Sequence, residues 1–453
     1  MRPYDLYGAC ADFGDIHGGD DLIQLTNSCD MAEYIFTYNK GKNMKKRVAV
    51  FIGGRSPEHD VSVVSGLQAF NALDRSKFEP FLVYVSLTGE WYVGEALADR
   101  NVYIPTPETR RKLTKVSLDT NANPMGTGRL IPEKKGLFGQ AKPIAFDVAL
   151  LAFHGLFGED GGFQGMFDTV NVPYTGMRTL ASAVLMDKVA TKKALAGTNV
   201  PQLPYVTIDR PRDGRHVTIA EITAKLGNFA FPLIVKPSHL GSSIGVARAQ
   251  TVEEVAASLP AIFGLDHQAM IEPFVDNLVE YNVAVSAVLG DGVRTSAIER
   301  PKRASELLDF KQKYMSGGGS KKTGGKSGGA KTPGQSSEGM LSLTRDINPE
   351  LPIEMESKIR SWAETVFNSV GGTGAPRLDF LSNEKTGEVW FNEANPCPGS
   401  FGFFLWEAAK QPVLYTDFLS ALVNEALTMH RSAQLPADPT LRDARLFPRP
   451  FNA

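Results

Sequence analysis

The chain has 453 residues, 42% hydrophobic and 22% charged, the make-up of a globular protein of two or three domains. A formal net charge of −2 leaves no footprint for nucleic acid, and no apolar run reaches the roughly 18 residues that span a bilayer. Three scattered cysteines, Cys10, Cys29 and Cys397, are too few for a disulfide framework or a zinc knuckle. The N-terminus also lacks the basic start and apolar core of a signal peptide, so the reading is a cytoplasmic protein with reduced thiols.

Residues 1–43 are polar, without a clear period, and receive no role. RVAVFIGG (47–54) predicts a buried strand ending in a glycine turn, and EHDVSVVSGLQAFNAL (58–73) has apolar residues at helical spacing. FEPFLVYVS (78–86) and FDVALLAFHG (146–155) predict further strands. Strands alternating with helices suggest a parallel sheet, hence an α/β fold for residues 44–178. Glu58 and His154 follow strand ends, where such sheets present their ligand crevice.

RTLASAVLMDKVATKKALAG (178–197) reads as one long helix closed by a glycine. FPLIVKP (231–237) and IGVAR (244–248) predict two strands joined by SHLGSS. TVEEVAASLPAIFG (251–264) predicts a helix with Thr251 as N-cap and Glu254 completing a capping box. Three strands in succession, QAMIEPFV, VEYNVAVSAVLG and RTSAIERPK, then switch to antiparallel logic, and a domain boundary is placed near 273. This divides the remainder into 179–272 and an α+β part, 273–453. Within the latter, residues 316–337 hold eight glycines, four lysines and no acid, a composition that behaves as flexible coil or as a loop attracting phosphate. A helix over 354–371, a hairpin of 376–383 with 388–395 across EKTG, and a closing helix near 413–429 complete the pattern.

Three clusters carry chemistry. In IVKPSHLGSSIGV, Lys236 ends a strand before a small-residue loop whose backbone N–H groups can approach an anion; the pair reads either as an exposed lysine or as a nucleotide-phosphate site. Alternation puts Arg377 with Asp379, and Glu393 with Asn395, on single strand faces. If the hairpin pairs, Asp379, Glu393 and Asn395 form an oxygen-ligand set for a hard cation such as Mg2+; otherwise they form a solvated face. His154 is structural or a substrate contact, and Glu58 either caps a helix or holds a substrate ammonium.

GGRSPEHDVS, HGLFGEDGGFQG, PYTG, MDK, VKPSHLGSSIGV, KQKY, RLDF and NEANPCPG, in this order over roughly residues 44–430, resemble the D-alanine–D-alanine ligases of the ATP-grasp superfamily. The resemblance implies an ATP-grasp architecture behind a Rossmann-like N-terminal domain. It also implies ATP-dependent joining of two D-alanines through an acyl phosphate, for peptidoglycan, by a homodimer. Lys188, Lys236 and Ser243 would hold the ATP phosphates, Glu272 the adenine edge and Glu280 the ribose. Asp379, Glu393 and Asn395 would bind two Mg2+ ions, or Mn2+. Arg377 and the Gly399 N–H would stabilise the acyl phosphate and the oxyanion, and Glu58 the first substrate's ammonium. Ser242 and Tyr314 would complete a triad with Glu58, in a lid carrying Lys313 and interrupted by the 316–337 run. His154 would sit near the first substrate, and Ser400, Phe404 and Leu405 near the second. Here the chain departs from the family, because Phe404 stands where a serine that binds the second carboxylate is expected. That departure admits a larger or less polar second amino acid. An ATP-binding regulator without chemistry is a third reading.

Overall fold

β1 (Lys46–Gly53) lies one strand in from the edge of the first sheet, its Val48–Ile52 run wholly buried. It pairs in parallel with β2 (Phe78–Val85) on one side and β9 (Val148–Leu151) on the other. The computed structural model describes residues 45–99, 103, 108, 111–121, 126–133, 135–136, 139–140, 142–290, 292–302 and 345–433. Expectations for residues 1–43, Lys313, Tyr314 and the 316–337 run lie outside them. Gly53 turns the chain out of β1 at φ +88°, where a Cβ would stand 2.2 Å from the Val85 carbonyl oxygen. That turn delivers Glu58 to the start of α1 (His59–Ala72).

The parallel expectation holds only for β2–β1–β9. The seven-stranded sheet continues beyond β2 through β3 (Trp91–Val93), β4 (Thr114–Leu118), β5 (Gly128–Pro132) and β8 (Ile144–Phe146), all antiparallel. The short β6 (Lys135–Gly136) and β7 (Gly139–Gln140) pair only with each other. After α2 (Gly162–Thr169), the helix expected over 178–197 is two helices, α3 (Thr179–Met186) and α4 (Lys188–Ala194). Asp187 breaks it by taking extended geometry (φ −92°, ψ 109°), and its side chain caps α4 by accepting from the Val189 and Ala190 N–H groups. An aspartate stabilises a helix start better than a helix interior.

Antiparallel β10 (Val206–Asp209), β13 (Gln268–Pro273), β11 (Leu233–Pro237) and β12 (Ala247–Ala249) form the second sheet in that order. Its core joins Ile208, Leu233, Val235 and Ile271 to Ile222 of α5 (Ile219–Leu226) and to Val255 and Leu259 of α6 (Val252–Phe263). Thr251 caps α6, but Glu254 reaches back to the Gln250 amide at 2.7 Å rather than to Thr251, so the expected capping box is half formed.

A third, five-stranded sheet runs β16 (Arg345–Ile347), β15 (Arg294–Pro301), β14 (Leu278–Ser286), β17 (Arg377–Asn383), β18 (Val389–Asn395). The packing of α7 (Ile353–Ser369) covers it through Ile359, Ala363 and Phe367. The expected hairpin forms, with Arg377 opposite Asn395 and Asp379 opposite Glu393. Beyond it, α8 (Phe403–Glu407) and α9 (Tyr415–Ala433) return to the first sheet, burying Leu405, Trp406 and Phe418 with Val50, Ile52 and Leu67. Among the described residues no helix is long and apolar enough to cross a membrane.

Candidate active site

The second and third sheets enclose a cleft between β11, β13, β14 and the β17–β18 hairpin. Lys188, Lys236, Ser243, Glu272, Glu280, Asp379 and Glu393 line it, so seven positions spread over some 200 residues of sequence meet in one cavity. One wall is apolar, with Leu203, Ile234, Phe274, Val275 and Leu381. The other carries charge.

The Lys188 ammonium lies 3.0 Å from Glu393 Oε2 and donates to the Leu240 carbonyl at 2.6 Å. Lys236, at the end of β11, meets Glu272 Oε2 at 2.6 Å and donates to Asn392 Oδ1 at 3.0 Å. Glu272 is shared, because Lys192 reaches its Oε1 at 2.7 Å. Burial raises the Glu272 carboxyl, but the two ammoniums override it and hold the group below its usual range. Lys192 is one turn along α4 from Lys188. Helical spacing of four was the available signal for its place on the same face, and the sequence reading passed over it. Ser242 and Ser243 both have left-handed backbones (φ 55° and 58°), so the loop after Lys236 bends tightly against the cleft.

Arg377 grips Asp379 with two parallel hydrogen bonds of 2.7 Å, and Asn395 Nδ2 donates to Asp379 Oδ2 at 3.0 Å. Glu299, buried on β15, stands 4.0 Å from Arg377 and accepts from Arg345 at 2.8 Å and Asn282 at 3.0 Å. Burial pushes Glu299 up, and the Arg345 and Arg377 guanidiniums bring it below its usual range. Asp379 is thus bonded to Asn395 and paired across the hairpin with Glu393, and three oxygen-bearing side chains on one hairpin, two of them lining a lysine-lined cleft, fit a hard divalent ion. The two near-buried ammoniums opposite them fit polyphosphate, and the apolar wall fits a planar base.

At the mouth of the first sheet, Glu58 makes no side-chain cap on α1; its carboxylate accepts from the Ser242 hydroxyl instead, joining the first sheet to the loop after β11. The room for this comes from Gly155, where a Cβ would lie 2.5 Å from Glu58 Oε2.

His154 is occupied by protein. Its Nδ1 donates to the Cys397 carbonyl at 2.7 Å, and its Nε2 accepts from the Ser65 hydroxyl at 2.9 Å, while that hydroxyl oxygen accepts from the Ser400 N–H at 2.8 Å. Burial lowers His154 to about 4, so the ring is neutral. Glu159 completes the clamp, taking the Cys397 N–H at 2.8 Å and the Gly155 N–H at 2.7 Å. Burial, with the nearby Glu58 charge, raises Glu159 to about 8. Both sides of the Cys397 residue are therefore held from the first sheet, just ahead of the turn Gly399–Gly402. Ser400, Phe401 and Gly402 all have positive φ in that turn. The sequence reading placed Ser400 near a substrate; its hydroxyl donates to Gln68 on α1. The Leu405 side chain is fully buried in the core and leaves only its backbone for a ligand. Phe404 lies under the Arg345 guanidinium, 4.7 Å from ring centroid to Cζ. Ser65, Gln68, Glu299 and Arg345 are polar groups that periodicity marks only as helix or strand positions, so the sequence reading gave them no part.

Two family models match. That for the D-ala D-ala ligase N-terminus covers residues 47–177, and that for the D-ala D-ala ligase C-terminus covers 194–324 and 339–424. A D-alanine–D-alanine ligase of Heliobacterium modesticaldum is 31% identical over 409 residues, covering 86% of this chain and 97% of that one. D-alanine–D-alanine ligase A of Bradyrhizobium diazoefficiens is 30% identical, with 86% and 97% covered. Among solved structures, the D-alanine–D-alanine ligase from Coxiella burnetii superposes with a TM-score of 0.65 at 21% identity, covering 86% of this chain and 95% of that one. A D-Ala:D-Ser ligase from Enterococcus faecalis does so at 0.64 and 24%, covering 84% and 100%. The chain belongs to the D-alanine–D-alanine ligase family.

Proposed function

We propose that this protein joins two D-alanines to D-alanyl-D-alanine, a peptidoglycan precursor, using ATP. The observation that carries this is the convergence of Lys188, Lys236, Ser243, Glu272, Glu280, Asp379 and Glu393 on one cleft. The first D-alanine carboxylate takes the γ-phosphoryl group of ATP, giving D-alanyl phosphate and ADP. The amine of the second attacks the acyl carbon, and phosphate leaves.

Each group of the chain has a task in that sequence. Lys188 and Lys236 hold phosphate oxygens, exchanging their carboxylate partners for them. Ser243 and the bent loop close over the phosphates, while Glu280 takes ribose hydroxyls and Glu272 keeps Lys236 aimed and meets the base. Asp379, Glu393 and Asn395 would hold two Mg2+ ions, which supply neutralisation of charge on the transferring phosphoryl group. Arg377, already fixed by Asp379, faces the acyl phosphate. The Gly399 N–H receives the oxyanion, and the Cys397 clamp sets where that N–H stands. Glu58, with Ser242, binds the first substrate's ammonium. No side chain forms a covalent intermediate; the rate comes from positioning and charge.

The experiment is ADP and phosphate release from ATP and Mg2+ with a panel of D- and L-amino acids, products identified by mass. D-Ala-D-Ala from D-alanine alone supports the proposal. Product only with a mixed pair supports a different second amino acid, the reading that Phe404 under Arg345 favours. ATP binding with no release under any pair overturns the enzyme reading.

A further inference from the structure

Three successive residues grip the start of α4. The Ser238 carbonyl accepts from the Lys188 backbone N–H at 3.0 Å, and the Leu240 carbonyl accepts from Lys188 Nζ at 2.6 Å. Between them lies His239. Its Nε2 faces Asp187 Oδ2 at 3.4 Å, and its Nδ1 faces Asp266 Oδ1 at 2.9 Å. A neutral imidazole has one N–H to give; two carboxylates on opposite nitrogens select the imidazolium, which has two.

Both carboxylates are fixed by other bonds. Asp187 Oδ1 caps α4 through the Val189 and Ala190 N–H groups at 2.8 and 2.9 Å. Asp266, its side chain 3% exposed, also accepts from the backbone N–H groups of His239 at 2.8 Å and His267 at 2.6 Å. His267 stacks on His239 with centroids 4.7 Å apart, its own Nδ1 3.3 Å from Asp266. Asp160 and Arg210 are the other charged groups lining this recess. The bonds to Asp187 and Asp266 raise His239 to about 9, and Asp266 sits at about 2.

We propose that His239 is a positioning residue for the nucleotide: as an imidazolium it braces the α4 N-terminus to the 240–243 loop and thereby aims Lys188 into the cleft. This rests on the nucleotide reading of that cleft. The brace is needed because Ser242 and Ser243 hold left-handed backbones that local sequence does not favour. Without it, the Asp187 Oδ2 and Asp266 charges face each other across a gap, and the loop and helix start drift apart.

The test compares the full-length protein with His239→Gln and His239→Arg. ATP affinity is read by calorimetry with Mg2+, alongside KM for ATP, KM for D-alanine and thermal midpoints, from pH 7 to 10. His239→Gln should weaken ATP binding about 10-fold at pH 7.5, the scale of a charge-assisted contact, with D-alanine KM within about twofold. His239→Arg, which keeps a cation between the carboxylates, should restore most of it. Wild-type affinity should fall as pH passes about 9, where the imidazolium is lost, and fall less in His239→Arg. If His239→Gln does not fold, Asp187→Asn removes the charge while keeping a capping oxygen and should give the same loss. A lower thermal midpoint with unchanged ATP affinity and pH profile overturns the proposal. Failure of the ligase reading is separate: it appears as ATP binding by the wild type without ADP release.

Discussion

Arg377 and Asp379 stand two residues apart on β17 and are joined by two hydrogen bonds of equal length, 2.7 Å. The arginine proposed to face the acyl phosphate is thus oriented by the residue proposed as a metal ligand. Lysine keeps the charge of arginine but not its planar fork. Arg377→Lys should lower kcat about 100-fold, the scale of losing an oriented transition-state donor, with KM for ATP changed by less than about threefold. Steady-state rates against ATP and D-alanine check it, and a change in KM alone would assign Arg377 to ground-state binding.

Phe404 and Arg345 form the aromatic–guanidinium contact at the site of the family's departure. Phe404→Ser restores a hydroxyl there and frees one face of the guanidinium. KM for the second D-alanine should fall and KM for the first should hold, read from initial rates over a wide D-alanine range. An unchanged second KM removes Phe404 from the acceptor site.

His154 is a prediction about geometry. The sequence reading left it between structure and substrate, and both ring nitrogens are engaged with protein. His154→Ala releases the Cys397 carbonyl and should cost about 2–4 kcal/mol of stability, as a buried, doubly bonded side chain does. It should cut kcat more than it raises KM for ATP, because the Gly399 turn and not the nucleotide cleft is loosened. Because burial lowers His154 to about 4, its contribution to stability is present above about 6.5 and is lost as pH falls through about 4.

Glu159 gives the opposite sign. Its folded-state value is raised to about 8, so the stabilising protonated form is complete below the ordinary carboxyl range and is lost as pH rises through about 8. Glu159→Gln removes that ionisation. Thermal midpoints measured from pH 5 to 9 should decline less steeply in the variant than in the wild type. Parallel profiles would mean that Glu159 is ionised throughout.

Much of the cleft was legible because its residues lie at strand ends and in a two-residue alternation. The expected hairpin forms and sets Asp379 opposite Glu393, and Lys236 stands next to the end of its strand. What was hidden depended on partners far away in sequence. Nothing near Ser65 reveals that it bonds both His154 and Ser400, 89 and 335 residues away. Asp187 was misread for a different reason: its neighbours have helical periodicity, and only its own capping preference opposes them. The antiparallel half of the first sheet was missed because its strands, three to five residues long, are too short to show a period.

The clamp on Cys397 has a consequence for how this chain can change over generations. Lys188, Lys236 and the metal-type donors are supported by neighbours around the second and third sheets, whereas both sides of Gly399 are held from around the first, Cys397 by His154 and Glu159 and the Ser400 N–H by Ser65. A stretch exchanged from a relative into either part should keep the lysine-lined cleft yet shift the Gly399 turn unless those three contacts came with it. Chimaeras between this chain and a relative should therefore keep the clamp only where the two agree at both of its ends.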